Sequence, residues 1–382
     1  MKLNKYIWPL LAASMFSYGA QAADVYTNDN GDSLSIGGYV DIRAGNKSSG
    51  TDVDYGKIGI EDNSSRITID GKKTVNQDIK VVSQFEWGFN TQDEESDHGG
   101  MFNNRLGYAG MESDKYGTAL VGKQWSVFYD VAGWTDMYAS TGGEALGVYE
   151  FDSGGFSGRG RADQAATYRK TFGGLTVGLQ AQGYDDAGWG AADGQPTPDG
   201  NALTRNYGVG GSLVYKLTNS LQIGASYYYT DVEQTDGAAI VQDSNDLNQH
   251  AAVIGIKYDG GIFGIAVDAS ELKNAFRYGE NSFAVESYLT AKYSSNGSYI
   301  YAGNNTLIGD TEEGSHNNDI NYLAIGFVQN IMDDGSFYVY GEYRYDLRSD
   351  ADMAAASNNT SLDADYVGAD MSEYRLGVRY IF

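Results

Sequence analysis

Ser372-Glu373-Tyr374-Arg375-Leu376-Gly377-Val378-Arg379-Tyr380-Ile381-Phe382 closes the chain, and its alternation decides the fold. In a β-strand successive side chains point to opposite faces. Tyr374, Leu376, Val378, Tyr380 and Phe382 therefore share one face, and Glu373, Arg375, Gly377 and Arg379 share the other. A soluble antiparallel strand has the same period, but its polar face meets bulk water. Here the apolar face begins and ends in aromatic rings, which suit the two interfaces of a bilayer, while the opposite face carries charge. The chain stops on Phe382 with no polar tail.

The other end is consistent with export. Lys2 and Lys5 precede an apolar run from Tyr6 to Tyr18, interrupted by Pro9, and Ala20-Gln21-Ala22 follows. That order is a secretory signal peptide over 1–22 with a small-residue cleavage site, and the run is too short for a spanning helix. Cleavage removes two lysines and no acid, so the mature chain, 23–382, is more acidic than the whole.

Composition narrows the class. Lys and Arg number 26 against 51 Asp and Glu, a net charge of −25. This excludes a nucleic-acid binder, which needs a positive surface against phosphate. Acidic chains poor in aromatics tend to be disordered, but this one holds 31 Tyr, 14 Phe and 5 Trp. There is no Cys despite the oxidising destination, so the fold does not depend on disulfides. Gly is frequent at 51 and Pro rare at 3, as many strands with tight turns require. The mean hydropathy of −0.42 looks soluble. A barrel gives lipid only every second residue, so this value does not argue against one.

Alternating segments number about sixteen, an even count suited to a bacterial barrel. They lie near 34–43, 64–73, 77–89, 103–113, 117–124, 163–172, 175–184, 206–216, 220–231, 249–259, 262–272, 283–293, 297–308, 320–330, 336–347 and 372–382. Thr74-Val75-Asn76, Gly173-Gly174, Thr218-Asn219, Asp259-Gly260-Gly261, Ser295-Asn296-Gly297 and Asp333-Asp334-Gly335 read as tight turns. Between them lie long polar stretches at 90–102, 185–205, 232–248 and 348–371. Short turns on one side and long loops on the other are the asymmetry of an outer-membrane barrel. The reading is all-β: one 16-stranded antiparallel transmembrane β-barrel over 23–382.

Further motifs follow in order: Asn104-Arg105-Leu106-Gly107-Tyr108-Ala109-Gly110, Tyr116-Gly117-Thr118 and Val121-Gly122-Lys123-Gln124. Then come Tyr129-Asp130, Trp134-Thr135-Asp136-Met137, Gly142-Gly143-Glu144, Gly160-Arg161 and Ala166-Thr167-Tyr168-Arg169. Over about 105–184 the chain resembles the enterobacterial general diffusion porins, the trimeric osmotic-response family. The N-terminal strand, Arg66 and Phe382 extend the likeness more loosely. The resemblance implies a sixteen-stranded homotrimer with its third external loop folded into the lumen, acting as a passive channel for ions and small hydrophilic solutes. It implies residence in the Gram-negative outer membrane beside lipopolysaccharide. The terminal aromatic strand, with Tyr380 and Phe382, resembles the closing strand that the barrel-assembly machinery reads.

Alternation supports a lumen by itself. Ile67 and Ile69 share the apolar face, which sends Arg66, Thr68 and Asp70 inward. Leu106 and Tyr108 read as lipid-facing, which turns Arg105 inward. Tyr168 reads outward, with Arg161, Asp163 and Arg169 inward. The segment at about 125–162 is too long for a plain hairpin loop. It carries Asp130, Asp136, Glu144, Glu150 and Asp152. Folded inward, its carboxylates would face the arginines across a narrow passage and set a transverse field.

By resemblance, Arg66, Arg105 and Arg161 match the family's basic cluster and Asp136 its loop aspartate, with Glu144 in place of a nearby aspartate. Ser140 stands where the family has a loop glutamate, and Tyr39 where it has a first-strand lysine. The loop reads Ala139-Ser140-Thr141-Gly142-Gly143 in place of Pro-Glu-Phe-Gly-Gly. With inward Asp41 beside Tyr39, the acid excess points to a weak cation preference.

Other signals are thin. His98, His250 and His316 lack mutual ligand spacing, so no metal is expected. Ser315-His316-Asn317 is not a catalytic triad by adjacency, and no cofactor or catalytic residue is expected. Asp93-Glu94-Glu95-Ser96-Asp97 reads as a solvated loop, with a cation bridge to lipopolysaccharide as the other reading. The alternative function is a porin specific for oligosaccharides, with Trp125, Trp134, Trp189, Tyr138 and Tyr149 stacking on sugar rings.

Overall fold

The computed structural model describes residues 23–49, 52–91, 102–189, 202–236, 239–242, 247–276, 280–311, 316–348 and 372–382. The leader and the acidic run at 93–97 lie outside the described residues.

Strands β1 (Ala23–Thr27), β2 (Ser33–Ser49), β3 (Asp52–Asp62), β4 (Arg66–Thr74), β5 (Lys80–Phe89), β6 (Phe102–Ser113) and β7 (Gly117–Trp125) come first. Two short helices, α1 (Tyr129–Ala132) and α2 (Glu150–Ser153), lie between β7 and β8 (Arg161–Phe172). Then follow β9 (Leu175–Gln182), β10 (Asp185–Trp189), β11 (Ala202–Lys216), β12 (Leu221–Asp236), β13 (Ala239–Gln242) and β14 (Gln249–Asp259). The set ends with β15 (Phe263–Lys273), β16 (Glu280–Lys292), β17 (Tyr299–Thr311), β18 (His316–Asn330), β19 (Phe337–Asp346) and β20 (Glu373–Ile381).

All pairings are antiparallel and each strand lies beside its neighbours in the chain. β3 and β4 are two halves of one barrel strand, both paired to β2 on the same side. β10 continues β9, β13 continues into β14, and β1 is an N-terminal hairpin on β2. The twenty stretches therefore make sixteen barrel strands. Closure comes from β2 pairing with β20, from Tyr39 opposite Ile381 to Gly45 opposite Arg375. Every strand then has two partners, which a bilayer core demands. At the seam Phe382 and Gly38 exchange both backbone hydrogen bonds, at 3.0 and 3.1 Å. Gly38 has φ +154°, and a side chain there would overlap the Arg66 carbonyl oxygen.

The closing strand is as its alternation requires. Tyr374, Leu376, Val378, Tyr380 and Phe382 are exposed on the outer wall, while Glu373 and Gly377 are buried on the inner one. Two features depart from the sequence reading. The second barrel strand begins at Asp52, with Ile58 and Ile60 outward, and breaks at Asn63-Ser64-Ser65 before resuming at Arg66. Leu106 and Tyr108 face the lumen: Leu106 lies opposite Glu86 and Tyr108 opposite Gln84. A bulge between Glu86 and Trp87 inserts Arg105 as an extra residue. Arg105 and Leu106 thus both turn inward, which strict alternation forbids and a bulge allows.

Candidate functional site

The segment from Ser126 to Gly160 leaves β7 and returns at β8, and its side chains are bound to the inner wall far around the barrel. α1 starts it. Asp130 accepts from Arg169 at 3.0 Å and from Ser212 at 2.7 Å. Val131 and Trp134 press against Gly224 and Gly255, which lie opposite each other on β12 and β14. Any Cβ at these positions would meet Trp134, so the paired glycines form the recess that seats the loop. Phe128, Val131, Trp134, Leu146 and Val148 then join buried wall residues in one apolar cluster.

Polar anchors fix the loop further along. The Thr135 hydroxyl lies 2.7 Å from Glu286 and 3.1 Å from Asp268. Ala145 and Leu146 donate their N–H groups to the other Glu286 oxygen, at 2.8 and 3.2 Å. At the tip, Ser140 and Thr141 donate backbone N–H groups to Glu342 of β19, at 3.3 and 2.9 Å. Arg43 of β2 donates to the Ser140 carbonyl at 2.7 Å, and Asn63 donates to Ala139 at 3.0 Å. The loop that is rooted at β7 and β8 therefore touches β2 and β19 at its tip. Asp136 holds it together internally, accepting from Tyr129 at 2.7 Å, from the Gly143 N–H at 2.8 Å and from Tyr149. Burial pushes both phenols up, with the Asp136 charge adding to it, so both remain donors.

The basic side sits on the early strands. Arg105 donates Nε to Glu86 at 2.7 Å and Nη1 to Ser64 at 3.2 Å. Arg66 approaches the same Glu86 oxygen at 3.5 Å. Arg161 lies opposite Trp125 across β7–β8, in the field of Arg105 and Arg66. The structure thus brings Arg66 and Arg105 onto one carboxylate, that of Glu86, with Arg161 on the neighbouring part of the same wall. Glu86 was missed in the sequence, although Gln84, Glu86 and Gly88 alternate there with apolar Phe85, Trp87 and Phe89, which marks it as inward.

Glu144 departs from expectation. It does not face those arginines but pairs with Arg344 of β19 at 3.4 Å. Burial pushes its carboxyl up, and Arg344 and Arg375 pull it back. The loop bends at residues 139–141 after Asp136, and the Glu144 N–H donates to Asn305 of β17 at 2.9 Å, which sets residue 144 against the later strands. Arg205 was also missed: fully buried, it donates to the carbonyls of Phe156 and Gly183 at 2.8 and 2.9 Å and to Asp163 at 2.8 Å.

Most of the rings expected to stack on sugars are engaged in packing. Trp134 is buried, Trp125 stacks on Tyr129 at 4.1 Å, Tyr138 meets Tyr288 and Tyr301 edge-on, and Tyr149 is bonded to Asp136. The Trp189 side chain lies outside the described residues. His250 is on the outer wall, its Nδ1 2.7 Å from the Tyr227 hydroxyl.

The family model described as Gram-negative porin matches residues 31–296. The chain belongs to the Gram-negative porin family. This porin is 28% identical to outer membrane porin N of Escherichia coli (strain K12) over 392 residues, covering 94% of this chain and 97% of that one. It is 28% identical to outer membrane porin C of Salmonella typhimurium over 286 residues, covering 72% and 69%. Among solved structures, Salmonella typhi OmpF, in complex with daunomycin, superposes with a TM-score of 0.73 at 20% identity, over 94% of this chain and all of that one. An anion-selective porin from Comamonas acidovorans superposes at 0.66 and 16% identity, over 92% and 100%. These two likenesses show the fold. The porin resides in the Gram-negative outer membrane and is a passive diffusion channel.

Proposed function

We propose that the Ser126–Gly160 loop narrows the lumen and, with Arg66, Arg105 and Arg161 opposite, sets a weak cation preference for ions and small hydrophilic solutes. One observation carries the reading: the loop tip is bonded to Arg43 of β2 and Glu342 of β19, four and six barrel strands around the wall from its root at β7. Segments fixed across a bore reduce its width. Arg66, Arg105 and Arg161 form the basic side, and Asp136 is the loop carboxylate closest in role to a counter-charge. The Glu144 charge is offset by Arg344, so Glu144→Gln should shift selectivity less than Asp136→Asn.

Several lumenal cations are already matched. Arg379 pairs with Asp41, Arg43 with Glu61, Arg169 with Asp130 and Arg205 with Asp163. Asp70 and Glu342 add acid along the inner wall. A salt-gradient reversal potential tests it. Potassium should pass more readily than chloride, and Arg105→Gln should raise the ratio by about two-fold at low salt. Both effects should shrink as salt rises, because the screening length falls below about 10 Å. Chloride preference in the parent, or no change in Arg105→Gln, would sink the reading.

Assembly belongs to the same proposal. The mature protein is a homotrimer whose early strands offer Gly38 and Gly71 on the outward face for close wall packing. The leader is removed after Ala22, and Tyr380 and Phe382 are presented to the assembly machinery. Unheated gels and crosslinking in mild detergent should show a trimer, and a monomer alone would contradict it.

A further inference from the structure

Tyr39 of β2 faces the lumen, and its surroundings give that ring a task. The Arg66 guanidinium lies over Tyr39 at 4.6 Å from the ring centre, and that of Arg379 lies over it at 4.3 Å. Tyr39 is opposite Arg66 on the β2–β4 pairing and next to the closing strand on the other side. Arg379 is fixed independently. Its Nε donates to Asp41 at 2.7 Å, and Asp41 is fully buried, also accepting from Tyr340 at 2.8 Å and Asn63 at 3.0 Å. Tyr338 covers Arg379 at 5.6 Å. Arg66 has weaker moorings: Ser64 at 3.3 Å, Glu86 at 3.5 Å, and the repulsion of Arg105, which holds the same carboxylate more closely.

We infer that Tyr39 is a positioning residue for permeation, which holds the Arg66 guanidinium in the lumen through the face of its ring, braced by Arg379. The π face attracts a cation and orients a planar guanidinium, which a lysine at the same place would repel. The first and last strands thereby set the position of a selectivity charge on the second. This inference rests on the proposed role of Arg66 in the constriction. It gives Tyr39 a part beyond the mere absence of a lysine charge.

The test is a double-mutant cycle read by reversal potential at low salt. Arg66→Gln tests the underlying reading and should raise the potassium-to-chloride ratio. Tyr39→Phe keeps the ring face and should match the parent. Tyr39→Leu keeps apolar bulk without the face, and should raise the ratio by about two-fold, part of the way to Arg66→Gln. Combined with Arg66→Gln, Tyr39→Leu should add nothing further. If Arg66→Gln has no effect, the constriction reading fails and the clamp with it. If Arg66→Gln acts but Tyr39→Leu matches Tyr39→Phe, the clamp alone is wrong. A Tyr39→Leu shift of equal size with Arg66→Gln present would also overturn it, because Tyr39 would then act through bore shape.

Discussion

Replacing residues 137–147 by a short glycine–serine linker should roughly double single-channel conductance and admit bulkier solutes, with the barrel still folded. The flanks of that segment are already close, since the Tyr149 hydroxyl donates to Asp136. Excision removes the tip that Arg43 and Glu342 hold against the wall. It leaves Phe128, Val131 and Trp134 seated on β12 and β14. Backbone closure resides in the strands, so the loop is not needed to satisfy the membrane-spanning groups. Glu286 and Glu342 lose loop N–H donors but then face water, where a carboxylate is well solvated. Planar-bilayer recording and liposome swelling with graded sugars measure the effect. Unchanged conductance and size limit would mean that this segment does not narrow the bore.

The second large effect is expected at Arg205, and it concerns stability. This guanidinium is fully buried and serves three carbonyls, of Gly155, Phe156 and Gly183, and two carboxylates, Asp163 at 2.8 Å and Asp185 at 3.7 Å. Arg205→Ala removes the cation beside Asp163 and the donor to the Gly155 and Phe156 carbonyls, which hold the returning limb of the loop. Removing one partner of a buried ion pair costs about 3–5 kcal/mol. Urea unfolding in lipid vesicles should show a loss of that order, and Asp163→Asn a smaller one. Arg205→Ala should also make channel current noisier, because the returning limb loses its anchor. A variant as stable as the parent would show that the cluster contributes only fit.

The fold was legible because a barrel wall has one chemical rule, repeated on every strand. In β20 each residue from Glu373 to Tyr380 points where its polarity requires. The rule fails where the backbone leaves strict pairing. Asp52–Asp62 falls outside the alternating segments read from the sequence because acids flank its alternating core, and because Asn63-Ser64-Ser65 breaks the strand that it begins. Leu106 and Tyr108 were placed on the lipid face because the bulge at Glu86 cannot be read from period two. Arg105 was correctly turned inward, but the bulge rather than alternation is the cause.

The site was legible on its basic side and less so on its acid side. Arg66, Arg105 and Arg161 ride on strands whose parity is visible. Glu144 rides on a loop whose path depends on contacts remote in sequence, such as Thr135 with Glu286 and Ser140 with Arg43. Nothing local to residues 136–147 shows that the chain reverses between Asp136 and Glu144. Tyr39 could be recognised as a departure, but its two guanidinium neighbours come from β4 and β20, brought together only by closure.

The central claim is a passive, water-filled bore narrowed by its own loop. The most direct measurement is the current through the purified protein in a planar bilayer, over a range of potassium chloride concentrations and with oligosaccharides added. Ohmic conductance that rises in near proportion to salt and is not blocked saturably by sugar is the result expected here. No conductance, or a current that oligosaccharides block saturably, would contradict it.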